Sequence, residues 1–111
     1  MAHLAVFSYY PYNKAAEVAA VYTKLQQNRS ALLAKSTGPY MWVTPHGVET
    51  FQAWEVQNSK LYDATIRLYA AMSQYSGIEG YRYDVRTVAT ASEGEDMRAA
   101  LAQMQARNRK Q

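Results

Sequence analysis

Five side chains of the 111-residue chain could hold or transform a small molecule: Tyr9, Trp42, His46, Trp54 and Tyr83. Indole and phenol rings offer flat faces for stacking, and the phenol hydroxyl adds a hydrogen-bonding group, a combination suited to an apolar or aromatic ligand. The same rings are enriched at protein interfaces, so packing accounts for them equally well. His46 lies in the turn sequence Pro45-His46-Gly47 and shares the chain only with His3. Its ordinary pKa of about 6.5 suits a general base, yet no carboxylate is placed by local sequence to orient it, and a solvent-exposed turn residue explains it too. Two histidines in separate segments, without a cysteine, fall short of the three or four ligands of a metal site, so neither metal nor cofactor is expected. Arg82, Asp84 and Arg86 alternate along one strand face and could grip an anion, although cross-strand pairing with Glu49 or Glu55 accounts for them. Glu93, Glu95 and Asp96 open a helix, where the helix dipole favours negative charge.

Those groups need a scaffold, and its composition is unusual. Val, Ile, Leu and Phe together number 19 of the 111 residues, below the roughly 20% at which a highly charged chain stays disordered. The formal net charge is only +3, and ten tyrosines and two tryptophans supply the missing apolar area. The absence of cysteine rules out disulfide and thiol chemistry. No apolar run approaches the about 20 residues of a membrane span, and "MAHLAVFSYY" has no basic leader. A cytoplasmic protein without membrane partners is the expectation. The basic residues are scattered apart from Arg107, Arg109 and Lys110, which read as a solvated tail rather than a nucleic-acid surface. The length fits one domain over residues 1–111, with a core from about residue 3 to about residue 90.

The elements follow from periodicity. Ala2 to Tyr10 is rich in Val, Phe and Tyr and reads as a strand buried on both faces, ended by Pro11. Tyr9 and Tyr10 must then point to opposite sides. Asn13 is suited to cap a first helix whose apolar face is Ala15, Val18, Ala19, Tyr22 and Leu25. A second strand bends or bulges around Gly38-Pro39, turns at Pro45-His46-Gly47, and returns as a third strand from about Val48 to Val56. Leu61, Ala64, Thr65, Leu68, Ala71, Met72 and Tyr75 recur at helical spacing, with Asn58 or Ser59 as cap and Gly77 as a left-handed stop. "YRYDVRTVAT" alternates as a fourth, edge strand. Ser92 and Glu95 form a capping box for a last helix over about residues 92–107, carrying Met97, Ala100, Leu101 and Met104.

This order predicts an α+β fold, a ferredoxin-like βαββαβ with a four-stranded antiparallel sheet and an extra C-terminal helix. Two helices cover one face of such a sheet. The first strand offers bulky apolar groups to both, so the second face needs a partner, and a homodimer by sheet-to-sheet packing follows. The chain resembles the dimeric α+β barrel superfamily, in particular its small uncharacterised members. "GVETFQAWEVQNSKLYDATIRLYAAMSQYSGIEGYRYDV" carries the resemblance best, and as an order of elements it extends over about residues 3–90. It implies two ferredoxin-like sheets paired into a dimeric barrel around a cavity. Activities in that superfamily include cofactor-independent oxygenation of aromatic polyketides, lactone isomerisation, haem degradation and chlorite or peroxide chemistry on haem. The haem-degrading branch uses an Asn on the first strand, a Trp on the third and an axial His on the second helix. Trp54 suits the third-strand position, but Ser59 to Tyr75 contains no histidine and Asn13 follows the strand, which speaks against haem.

An RNA-recognition motif has the same element order but needs a basic residue and aromatics on its third strand. In "HGVETFQAWEV" Val48 and Thr50 stand where the first aromatics belong, and the first and third strands contain no Lys or Arg. Nucleic acid is therefore not an expected partner. The expectation is a homodimeric barrel that binds a small apolar or aromatic ligand or acts in assembly. The alternative is a cofactor-independent monooxygenase or isomerase acting on an aromatic substrate in the barrel cavity.

Overall fold

A strand with apolar side chains pointing both ways can bury them only inside a sheet. The computed structural model describes residues 1–109. It places β1 (Ala2–Tyr10) between β3 (Gly47–Val56) and β4 (Arg82–Val88), with β2 (Ser36–Thr44) outside β3. All three pairings are antiparallel. α1 (Ala15–Gln27) links β1 to β2, α2 (Leu61–Met72) links β3 to β4, and α3 (Ala91–Arg109) follows β4. The chain is an α+β protein with an open four-stranded antiparallel sheet, compatible with a ferredoxin-like fold.

Register decides which side chains face the helices. Leu4 lies opposite Trp54, Ala2 opposite Val56 and Val6 opposite Val85, and Leu4, Val6, Trp54, Val56 and Val85 pack with Leu33, Ala64, Leu68, Met72, Tyr75 and Ile78 in the core. The predicted face of α2 is the one buried. α1 differs: Val18, Val21 and Leu25 are only partly buried, Ala15 and Ala19 are exposed, and no residue of the helix is fully covered. Tyr10 turns to the helix side and stacks on Tyr81 at 6.3 Å, which in turn stacks on Tyr75 at 4.4 Å.

The predicted helix caps are replaced by backbone. Short 3-10 turns at Tyr12–Lys14 and Asn58–Lys60 lead into α1 and α2, and neither helix has a side-chain cap. In each turn the chain's own carbonyls take up early amides: Lys14 N–H donates to Pro11 O at 3.0 Å and Lys60 N–H to Gln57 O at 2.8 Å. Asn13, Asn58 and Ser59 are therefore not caps. At the other end of α2 a further 3-10 turn, Ser73–Tyr75, prolongs the coil, so Gly77 is not left-handed. The positive φ falls on Gly80, at 84°. α3 starts two residues earlier than the Ser92 box implies: the Thr90 hydroxyl accepts from Glu93 N–H at 3.3 Å and donates to Glu93 Oε1 at 3.0 Å. The bend in β2 is as expected, with Gly38 at φ 93°, a cis Gly38–Pro39 bond and a register shift between Thr37 and Tyr40.

The radius of gyration, 17.2 Å, exceeds the about 13 Å of a compact domain of this length, because α3 makes few contacts with the body. Leu101 and Met104 on α3 are exposed. The side chains of Met97 and Ala100, and those of Arg107, Arg109 and Lys110, lie outside the described residues. Among the described residues no helix is long and apolar enough to cross a membrane.

The stacked tyrosines make stability sensitive to alkali. Burial raises the pKa of Tyr75 and Tyr81, and of Tyr10, above the ordinary value of 10.0. The folded chain therefore keeps these protons to higher pH than the unfolded chain. Their contribution is fully present below pH 10 and is lost as pH rises beyond it, with a limiting slope of about 1.4 kcal/mol per pH unit for each group. Tyr75→Phe removes one titrating group and should raise the midpoint of alkaline unfolding followed by circular dichroism. An unchanged midpoint would contradict this assignment.

Candidate functional site

The opposite parity of β1 and β3 fills the other side of the sheet. His3, Ala5, Phe7 and Tyr9 pair across with Glu55, Ala53, Phe51 and Glu49. β2 adds Tyr40 and Trp42 opposite Phe51 and Glu49, and β4 adds Arg82, Asp84 and Arg86 opposite Tyr9, Phe7 and Ala5. The first turn of α3 approaches this face, with Glu93 Oε1 3.8 Å from His3 Nδ1. That nitrogen is sealed from solvent without a hydrogen bond. Phe7, Trp42 and Tyr40 remain 37%, 43% and 57% exposed, an aromatic surface that a lone sheet leaves to water.

Four of the five sequence-predicted residues line one hollow: Tyr9, Trp42 and His46 from this side, and Tyr83, which pairs with Ser8 and shares the parity of core-packed Val85, from the edge of the sheet. Tyr9, Trp42, His46 and Tyr83 line a depression of about 670 Å³ together with Arg82 and Arg86. The hairpin fixes its upper end: the Tyr9 hydroxyl donates to His46 O at 2.8 Å. Trp42 is held by its cross-strand neighbour, its indole Nε1–H donating to Glu49 Oε2 at 2.6 Å. Phe7 and Phe51 meet at 5.1 Å between ring centres. Tyr83 contributes from the β4 edge.

The arginines do not pair with Glu49 or Glu55 as the sequence suggests, because β4 lies beside β1 and not beside β3. The Arg82 guanidinium instead sits 4.8 Å above the Tyr9 ring, and that of Arg86 5.2 Å above Phe7. Such contacts contribute about 0.5–1 kcal/mol each at exposed sites. Arg86 also donates to Asp84 Oδ2 at 2.6 Å, whereas Arg82 has no ion-pair partner among the described residues. With Glu49 and Asp84 in the same lining the charges balance, and the ring faces suit a flat aromatic ligand.

Trp54 has the opposite parity from Tyr9 and Trp42 and lies across the sheet from them. It is 9% exposed, on the helix side, at the floor of a second hollow of about 600 Å³ between α1 and α2. Sequence reasoning passed over Arg82 and Arg86 as ring-capping groups because their partners depend on strand order. It also passed over Gln52, whose signal was present: in β3 it shares the core-facing parity of Val48, Trp54 and Val56. Among the described residues no cluster of three or more His, Asp or Glu could hold a metal ion.

Comparison with protein-family models, with curated proteins and with solved structures gives no match.

Proposed function

We propose that the chain is a homodimeric module of the dimeric α+β barrel type, in which two open sheet faces pack together and enclose the Tyr9–Trp42 hollow as a chamber for a small aromatic ligand. The observation that carries this reading is the row of exposed aromatic side chains on the sheet face that α1 and α2 leave uncovered. Four strands at about 4.8 Å spacing and nine residues at about 3.3 Å rise span on the order of 600 Å² of flat area. Side-chain relief brings that close to the about 800 Å² per partner of a stable interface. Arg82 and Arg86, already seated on rings, would enter the interface with part of their charge engaged. Lack of cysteine agrees with a cytoplasmic setting.

Catalysis in the same chamber, as cofactor-independent oxygenation or isomerisation, is the second reading, favoured by His46 and Glu49 among the lining groups. Native mass spectrometry of the protein as purified tests the module directly. The expected species is two chains, with or without one small molecule per chain. A single-chain mass at micromolar concentration would refute the assembly, and with it the enclosed chamber.

A further inference from the structure

The hollow on the helix side has a different chemistry from the open face. Its walls are Val21 and Leu25 of α1, Leu68 and Met72 of α2, and Leu33 between α1 and β2, with Trp54 in the floor. Two covering helices would ordinarily close such a space, but α1 has no fully buried residue, and its Val18, Val21 and Leu25 are only partly covered where they pack on the core. The volume, about 600 Å³, falls in the about 300–1,000 Å³ of small-molecule sites. Gln52 lies beside Trp54 and its side chain makes no hydrogen bond among the described residues. A half-buried amide without a protein partner leaves a donor and an acceptor facing the space.

Charge at the rim is one-sided. Lys24, Arg29 and Arg67 line the hollow, and no Asp or Glu does. None of the three forms an ion pair among the described residues. Arg29 is held in place by donating to the backbone carbonyls of Leu33, at 3.3 Å, and Ala34. Those bonds orient its guanidinium without neutralising it. Lys24 and Arg67 approach from α1 and α2, one on each side of the opening.

We infer that this cleft binds a small organic anion with an apolar body, a carboxylate whose aryl or acyl part lies over Trp54 while its charged end meets Lys24 and Arg67. The site is independent of the open face, since the sheet separates them. Apolar walls give the body its driving force. The basic rim selects the charged end, because a charge-assisted hydrogen bond is stronger than a neutral one.

Isothermal titration calorimetry of the full chain with 2-naphthoate and with decanoate, each beside its methyl ester, tests the assignment. At least one carboxylate should bind, about tenfold more tightly than its ester. The better of the two identifies the body as aryl or acyl. Arg67→Glu, at an exposed position, should weaken that carboxylate by about tenfold or more with unchanged circular dichroism. Phe7→Glu, on the other face, should leave it unaffected. The inference is overturned if neither acid binds, if ester and acid bind alike, or if Phe7→Glu rather than Arg67→Glu abolishes binding.

Discussion

Leu68→Ala should lower the free energy of unfolding by about 2–5 kcal/mol. Leu68 is 1% exposed at the centre of α2 and, with Leu4, is one of the two largest fully buried side chains. It lies in the cluster that joins α2 to β1 and β3 through Leu4, Trp54 and Val56. Truncation removes the transfer free energy of the lost carbons and leaves a void in the cluster that holds Leu4, Trp54 and Val56. Because 19 of 111 residues are Val, Ile, Leu or Phe, few other side chains can compensate. Urea unfolding at one fixed protein concentration reads the loss as a lower midpoint with unchanged slope. A loss below about 1 kcal/mol would mean that the α2–sheet core is not the main source of stability.

Phe7→Glu should abolish association while leaving the fold intact. In a lone subunit the new carboxylate lies under the Arg86 guanidinium, which sits 5.2 Å above the present ring, so it is paired and wetted there. In a face-to-face dimer the same carboxylate must be desolvated once in each subunit, near the middle of the interface. Loss of a central aromatic anchor costs on the order of 2 kcal/mol or more, and stripping water from the new carboxylate adds to it. The dissociation constant should rise by about a hundredfold or more. Sedimentation velocity together with far-ultraviolet circular dichroism measures both parts of the expectation. An unchanged dissociation constant would remove the open face from the interface.

How much of this was legible in the sequence depends on which physical signal each feature leaves. The strands and helices were, because a continuous run rich in Val, Phe and Tyr in "HLAVFSYY", alternation in "YRYDVRTVAT" and helical spacing in the Leu61–Tyr75 segment survive even with few aliphatic residues. The bulge at Gly38-Pro39 was also legible, since a positive φ and a missing N–H both disrupt a ladder. The caps were not, because a 3-10 turn recruits backbone carbonyls and leaves no side-chain signature at Asn13 or Asn58. The division of Tyr9 from Tyr10 followed from alternation, but which faced the helices did not. That was decided by register, with Tyr10 opposite Val48 and Tyr9 opposite Glu49. Grouping Trp54 with Tyr9 and Trp42 failed for the same reason: a residue's side of the sheet depends on parity against its neighbour strand and not on residue type.

Sedimentation equilibrium of the unmodified chain, diluted from tens of micromolar into the nanomolar range, tests the coverage of the open face most directly. A mass of two chains that gives way to one only at the lowest concentrations is the predicted result. A single-chain mass throughout, with Phe7 and Trp42 on a stable and solvated sheet face, would contradict it.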